Sequence, residues 1–250
     1  MPIALPHKLL VGTFHKTGSV LMVRIWRDGC KRLGLRFWPI YPDRREEPPA
    51  WDVCFEDHSR FTPALLAHPH RGLLVIRDPR DIIISGMHYH RHSKEEWLHR
   101  PRPAFGGLTY QQKINSLPTE EAQLLFEMRQ VGGRTLAEIE AARAAFPHFR
   151  VERFEDLVTD VDLKAYRALF TWAGFEGAAL ETMLQVAHDH SLFSGKVDNP
   201  EHVRSGQPGQ WRTGFSERVM RLFIEAHGDL PERWGYASAA GVALPRRLPG

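Results

Sequence analysis

The sequence predicts an α/β protein, a single domain with a central parallel sheet of about four or five strands and helices on both faces. Apolar β-like runs at Leu9 to Phe14, Gly72 to Ile76 and Phe149 to Arg153, with a weaker one at Val53 to Phe55, are separated by helical segments. At 250 residues the chain is most simply one domain, long enough for a well-buried core. Two of the best strands also end in chemically loaded turns, "GTFHKTGS" and "VIRDPRDIIIS". Open α/β sheets bind their ligands at such strand ends.

The elements follow in chain order. The first run leaves through "GTFHKTGSV", Gly12 to Val20, into a helix-like segment from Val20 to Leu33. "YPDRREEPPAW", Tyr41 to Trp51, reads as a loop before the weak run. His58, in "FEDHSRFTPALL", follows that run and precedes a helix-like stretch. The strand ending at Ile76 enters "IRDPRDIIIS", where Pro79 or Arg80 can open a helix. His99 to Gly107 reads as a loop, and Glu120 to Phe146 as one long helical stretch. After the last strand come helical segments at Asp162 to Ala173 and Glu217 to Ala226, with "VRSGQPGQWRTGF", Val203 to Phe215, as a loop between them. No internal repeat is visible. Residues 235–250, ending in "LPRRLPG", read as a loosely held tail.

Composition narrows the function. An apolar fraction of 42% and a charged fraction of 25% are ordinary for a soluble globular chain. No apolar run approaches the roughly 20 residues of a membrane span. The amino terminus lacks the pattern of an export signal. Cys30 and Cys54 form no disulfide framework; they read as small buried hydrophobes, and a reducing cytoplasm is the expected location. The net charge of +3 comes without the basic, aromatic-laced stripe of a nucleic-acid binder and fits a small anionic ligand. His188 and His190 lack a third ligand at recognisable spacing, so no metal is expected.

Strand, small-residue turn and helix together form a cradle of backbone N–H groups suited to an anion. A Walker loop would read G-x-x-x-x-G-K-[ST]. Here Lys16 precedes the second glycine, Gly18, so the loop suits phosphate-like anions in another arrangement. Arg77 ends a strand and Ser85 lies on the following helix, where both can reach one anion. Alternatively Arg77 pairs with Asp78 or Asp81, and Ser85 is a neutral helix position. Arg204, Ser205, Trp211 and Arg212 flank a glycine- and proline-rich centre that reads as an anion-gripping loop or as an exposed turn.

These stretches carry a resemblance. "TFHKTGSVLM" resembles the 5′-phosphosulfate loop of the cytosolic-type sulfotransferases, T-[FY]-P-K-S-G-T-T-W. "IRDPRDIIIS" is similar to their 3′-phosphate motif, R-x-x-x-D-x-x-x-S, and "RSGQPGQW" to their R-K-G-x-x-G-D-W. The three occur in family order between Leu9 and Phe215. The resemblance implies a fold related to the P-loop kinases and the cofactor 3′-phosphoadenosine 5′-phosphosulfate (PAPS), with adenosine 3′,5′-bisphosphate (PAP) as product and no metal. It places Lys16 at the leaving phosphate, and Thr17, Gly18, Ser19 and Val20 in the 5′ loop. Arg77 and Ser85 fall at one side of the 3′-phosphate, and Arg204, Ser205 and Gly206 at the other. Phe154 and Phe193 fall at the adenine. His15, Val20, Leu21 and Ser205 depart from the family pattern, each weakening one contact.

Sulfuryl transfer to a hydroxyl needs the acceptor proton removed, and histidine suits neutral pH. His58 occupies a place similar to the family's base; His88 and His90 read as pocket or surface residues. The expected activity is PAPS-dependent sulfuryl transfer to a small-molecule hydroxyl, less readily an amine, without a covalent enzyme intermediate, with Lys16 and His58 catalytic. The alternatives are a nucleotide kinase of related fold and a non-catalytic nucleotide-binding protein. Trp97, Phe105 and Tyr110 lie where the family builds its acceptor pocket, and they hint at an apolar acceptor or serve as core. The sequence specifies neither the acceptor nor the oligomeric state.

Overall fold

The computed structural model describes residues 3–40, 50–194 and 207–238. The expected motif residues Arg204, Ser205 and Gly206, and the tail from residue 239 onward, lie outside them. The fold is α/β, with five parallel strands in the order β2-β3-β1-β4-β5 flanked by helices. The strands are β1 (Lys8–Gly12), β2 (Phe37–Ile40), β3 (Val53–Glu56), β4 (His70–Ile76) and β5 (Arg150–Arg153). Contacts gather the chain into two compact units. The first comprises Met1–Arg77 and Glu138–Gly206, the second Asp78–Ala137 and Gln207–Gly250. Among the described residues no helix is long and apolar enough to cross a membrane.

The first unit holds the sheet. The three central strands β3, β1 and β4 are buried along most of their length because both of their faces are covered, the usual state of a parallel sheet. On one face Leu9, Val11, Val53, Phe55, Leu73 and Val75 form a core with three helices: α1 (Ser19–Leu33), α8 (Lys164–Ala173) and α9 (Gly177–His190). On the other face Phe149 lies over Gly72, where a Cβ would stand 2.3 Å from its ring. Phe61 and Phe146 pack on Phe149, with centroids at 5.7 and 4.8 Å. Between β3 and β4 lies α2 (Pro63–Leu66). Cys30 and Cys54 are buried thiols outside any disulfide, and burial pushes the Cys30 thiol up to about 12, which leaves it inert at neutral pH.

Strand β2 is absent from the sequence expectation. Its run Phe37-Trp38-Pro39-Ile40 carries a proline, which removes a ladder donor and is tolerated at a sheet edge. β2 is that edge strand.

The second unit is helical. It contains α3 (Pro79–His90), α4 (Tyr110–Asn115), α5 (Glu120–Arg129) and the first half of α6 (Val131–Ala145). After α7 (Phe154–Val158) in the first unit, it continues with α10 (Trp211–Gly214), α11 (Glu217–His227) and α12 (Leu230–Arg233). The single expected helix over 120–146 is corrected to two. Gln130 breaks it at φ −113°, ψ −110°. A Cβ on Gly133 would come within 2.3 Å of the Met128 carbonyl, so the chain turns tightly past the end of α5.

His90 is corrected as well. It is fully buried, and its Nδ1 lies 2.8 Å from Glu127, whose same oxygen accepts the Tyr110 hydroxyl at 2.8 Å. Tyr110, with Trp97 and Phe105 edge-on to it, belongs to this core.

Candidate active site

In the first unit β1 runs into a turn organised around one carbonyl. The Phe14 oxygen accepts from Thr17 N–H at 3.1 Å, from the Thr17 hydroxyl at 3.0 Å and from the Ser19 hydroxyl at 3.0 Å. Thr17 Oγ1 in turn accepts from Phe14 N–H at 2.8 Å, and Thr13 Oγ1 donates to Ser19 Oγ at 2.8 Å. Thr17 is therefore committed to loop shape: fully buried, it turns its hydroxyl inward, whereas the sequence expects it to offer a ligand donor.

Gly18 caps α1 at φ 94°, ψ 23°, with no side-chain cap on the helix and no acid in its first turn. That leaves the positive end of the helix suited to an anion. Only glycine fits there, because a Cβ would meet the Phe154 ring at 2.5 Å. Val20, the next expected site residue, is exposed.

Arg77, at the end of β4, comes to the same loop. Nearly buried, it donates from Nη1 to the Lys16 carbonyl at 3.3 Å and stacks over Phe154 at 5.0 Å. Lys16, Gly18, Arg77 and Phe154 thus meet within one unit, although they span four elements of the sequence. Phe193, in the turn Leu192–Ser194, packs edge-on to His188 at 5.9 Å. Ser85 is half-buried on α3, in the second unit.

The turn after β3 is tied to the same loop. Ser59 Oγ donates to the Thr13 carbonyl at 2.9 Å, and a Cβ on Gly12 would come within 2.4 Å of that hydroxyl oxygen. Glu56 Oε2 accepts from His58 N–H at 3.0 Å and from Arg60 N–H at 2.5 Å, fixing the backbone on either side of Ser59. Burial raises the Glu56 pKa, with these two bonds opposing it. Among the described residues three non-glycines have positive φ, and two are here: Lys16 at 65° and Ser59 at 55°. Such strain concentrates at functional sites.

His58 Nδ1 lies 3.3 Å from Glu138 Oε2, and Arg60 Nη2 donates to Glu138 Oε1 at 2.7 Å. The Glu138 hydrogen bond raises the His58 pKa, against a smaller lowering by burial. Burial pushes Glu138 up, but its bonds with His58 and Arg60 outweigh that and hold it below the ordinary carboxylate value. Sequence reading misses Glu138, which stands 80 residues from His58 on a helix without a motif. It misses as well the part Asp81 plays. In the second unit this buried carboxylate accepts from Gly209 N–H at 2.7 Å and Trp211 N–H at 3.0 Å, joining the middle of the second motif to the end of the third.

No family model and no curated protein matches the sequence. Solved structures do match in fold. Mouse sulfotransferase SULT7A1 complexed with PAP aligns with a TM-score of 0.61 at 14% identity, over 92% of this chain and 88% of that one. Retinol dehydratase in complex with androsterone and inactive cofactor PAP aligns at 0.59, also at 14% identity, over 92% and 82% of the two chains. The retinol and PAP complex of retinol dehydratase aligns at 0.52 with the same identity and coverage. The likeness spans both compact units, and the chain has the fold of the cytosolic-type sulfotransferases.

Proposed function

We propose that the protein is a sulfotransferase that uses PAPS to sulfate a hydroxyl group of a small molecule in the cytoplasm. The observation that carries this reading is the turn around Phe14, which brings Lys16, Gly18, Arg77 and Phe154 together at the uncapped N-terminus of α1. Its donor set fits the group: helix N–H donors and an ammonium for the 5′-phosphosulfate, a guanidinium for a second phosphate, and an aromatic ring for a base. Ser19 and Val20 contribute backbone to the loop. Ser85, Phe193, Arg204, Ser205 and Gly206 keep the roles that the resemblance gives them.

When bound, PAPS supplies a sulfuryl group that bonds to the acceptor oxygen as its sulfur–oxygen bond to the 5′-phosphate breaks, PAP keeping the bridging oxygen and the electron pair. Lys16 neutralises the charge that develops on that oxygen. His58 takes the acceptor's proton. The protein otherwise acts by holding the partners in line, as in phosphoryl transfer.

The test compares thermal stabilisation by PAP with that by ATP and magnesium, then screens acceptors with labelled sulfate. The androsterone and retinol complexes of retinol dehydratase make lipophilic alcohols the first class to try. Stabilisation by PAP above that by ATP, with label on an alcohol, is the expected result. Stabilisation by ATP and magnesium alone would assign a kinase instead.

A further inference from the structure

We propose that Glu138 is the positioning residue of His58: its carboxylate holds the imidazole as the Nδ1–H tautomer and leaves Nε2 as the nitrogen that accepts a proton. The source of that proton, an acceptor hydroxyl, rests on the sulfotransferase reading above; the pairing of the two side chains does not.

The geometry is specific. A carboxylate has only acceptor oxygens, so His58 Nδ1, 3.3 Å from Glu138 Oε2, must be the donor. The neutral ring then carries its lone pair on Nε2. The separation is at the long end for a hydrogen bond, as in other ligand-free sites. The carboxylate cannot swing away freely, because Arg60 holds its other oxygen at 2.7 Å. Arg60 and His58 belong to one turn, and Glu56 binds the backbone N–H of both. Ser59 between them is buried, in a left-handed conformation, and bonded to the Thr13 carbonyl. The main chain of His58 is thus fixed by Glu56 and Ser59, and its ring by Glu138. A pairing reached from α6 and braced by Arg60 is more than the incidental surface contact that a histidine 39% exposed would otherwise make.

In the proposed step the acceptor's O–H proton passes to Nε2, and the O–H bonding pair becomes the new O–S bond. The imidazolium formed stays hydrogen-bonded to Glu138, which remains ionised, and later releases its proton to solvent. The charges around the ring set the pH range. Glu138 and Asp57 favour the imidazolium; Arg60 and burial oppose it, and the balance raises the His58 pKa above its ordinary value of 6.5. The base form is the neutral ring, so activity falls as pH drops through that raised pKa. Removing the Glu138 charge moves this acid limb to lower pH.

The experiment records nitrogen–proton correlation spectra of the histidine side chains on the full chain without ligands. The His58 signals are those lost in His58→Ala. Wild type should show the neutral ring as Nδ1–H, with unprotonated Nε2. Glu138→Gln should lower the titration midpoint while keeping a hydrogen-bond acceptor, and Glu138→Ala should also let the tautomer shift to Nε2–H. In turnover, both variants should lose about 10–100-fold in kcat, the scale of losing the hydrogen-bond partner that orients a metal-bound imidazole. The acid limb should move down, while acceptor KM and PAP affinity hold. An unchanged tautomer and midpoint in both variants would overturn the proposal. So would a fall in kcat accompanied only by lost stability and lost PAP binding. If Glu138→Ala does not fold, Glu138→Gln alone decides. The spectra need neither cofactor nor acceptor: spectra as expected with no acceptor sulfated would sink the sulfotransferase reading and leave the pairing intact.

Discussion

Lys16 sits at φ 65°, in a turn that Thr17 and Ser19 organise around the Phe14 carbonyl. Lys16→Ala keeps a Cβ in the same left-handed conformation and removes the ammonium with its aliphatic stem. The expected result is a loss of about 10²–10³ in kcat, the typical effect of one electrostatic donor at a developing charge. PAP affinity should fall much less, because in the proposed mechanism the ammonium acts mainly in the transition state. Steady-state kinetics with a calorimetric titration of PAP checks this, and near-normal turnover would remove Lys16 from the mechanism. Lys16, Arg77 and His58 are candidates the sequence offers by itself, because each lies in a local pattern with a chemical reason. Glu138 is not, since a helix glutamate reveals its partner only when α6 brings it across 80 residues.

The same distinction between local and long-range signal divides the elements. Four strands announced themselves as apolar runs, and the helix opening at Pro79 follows from its proline and the Asp78 cap, which accepts from Arg80 N–H. β2 was hidden by Pro39, and the break at Gln130 by an unbroken helical period on either side. α4 had a local signal that went unread: Thr109-Tyr-Gln-Gln112 is a capping box, with both reciprocal bonds formed. Asp81 carries an element-level prediction, because its two oxygens tie α3 to the backbone N–H groups of Gly209 and Trp211. Asp81→Ala leaves the two N–H groups without that acceptor, and each bond to a charged group contributes about 1.5–3 kcal/mol. The variant should unfold with a free energy lower by about 3 kcal/mol or more, read from urea denaturation with an unchanged m-value. A loss under about 0.5 kcal/mol would match an ordinary surface change and refute the tie.

For the molecule as a ligand binder, the sharpest discrimination should lie between nucleotides with and without a 3′-phosphate. Arg77 is the described residue on which this rests. It is 6% exposed, its guanidinium is held by the Lys16 carbonyl and the Phe154 ring, and its fork is ordered before any ligand arrives. An ordered fork loses little entropy on binding, so charge-assisted bonds to a phosphate count nearly in full. Two such bonds contribute about 3–6 kcal/mol, or roughly 10²–10⁴ in affinity. PAP should therefore bind that much more tightly than AMP. Arg77→Ala should close most of the gap. Because Arg77 also props the loop at Lys16, its loss disturbs AMP binding too, and the ratio of PAP to AMP is the quantity to follow. Arg77→Lys keeps the charge and loses the fork, so its ratio should fall between the other two. Calorimetric titration of both nucleotides against the three proteins gives the ratios directly. A wild-type ratio near one would refute the 3′-phosphate site, and a ratio that survives Arg77→Ala would move that site onto other residues.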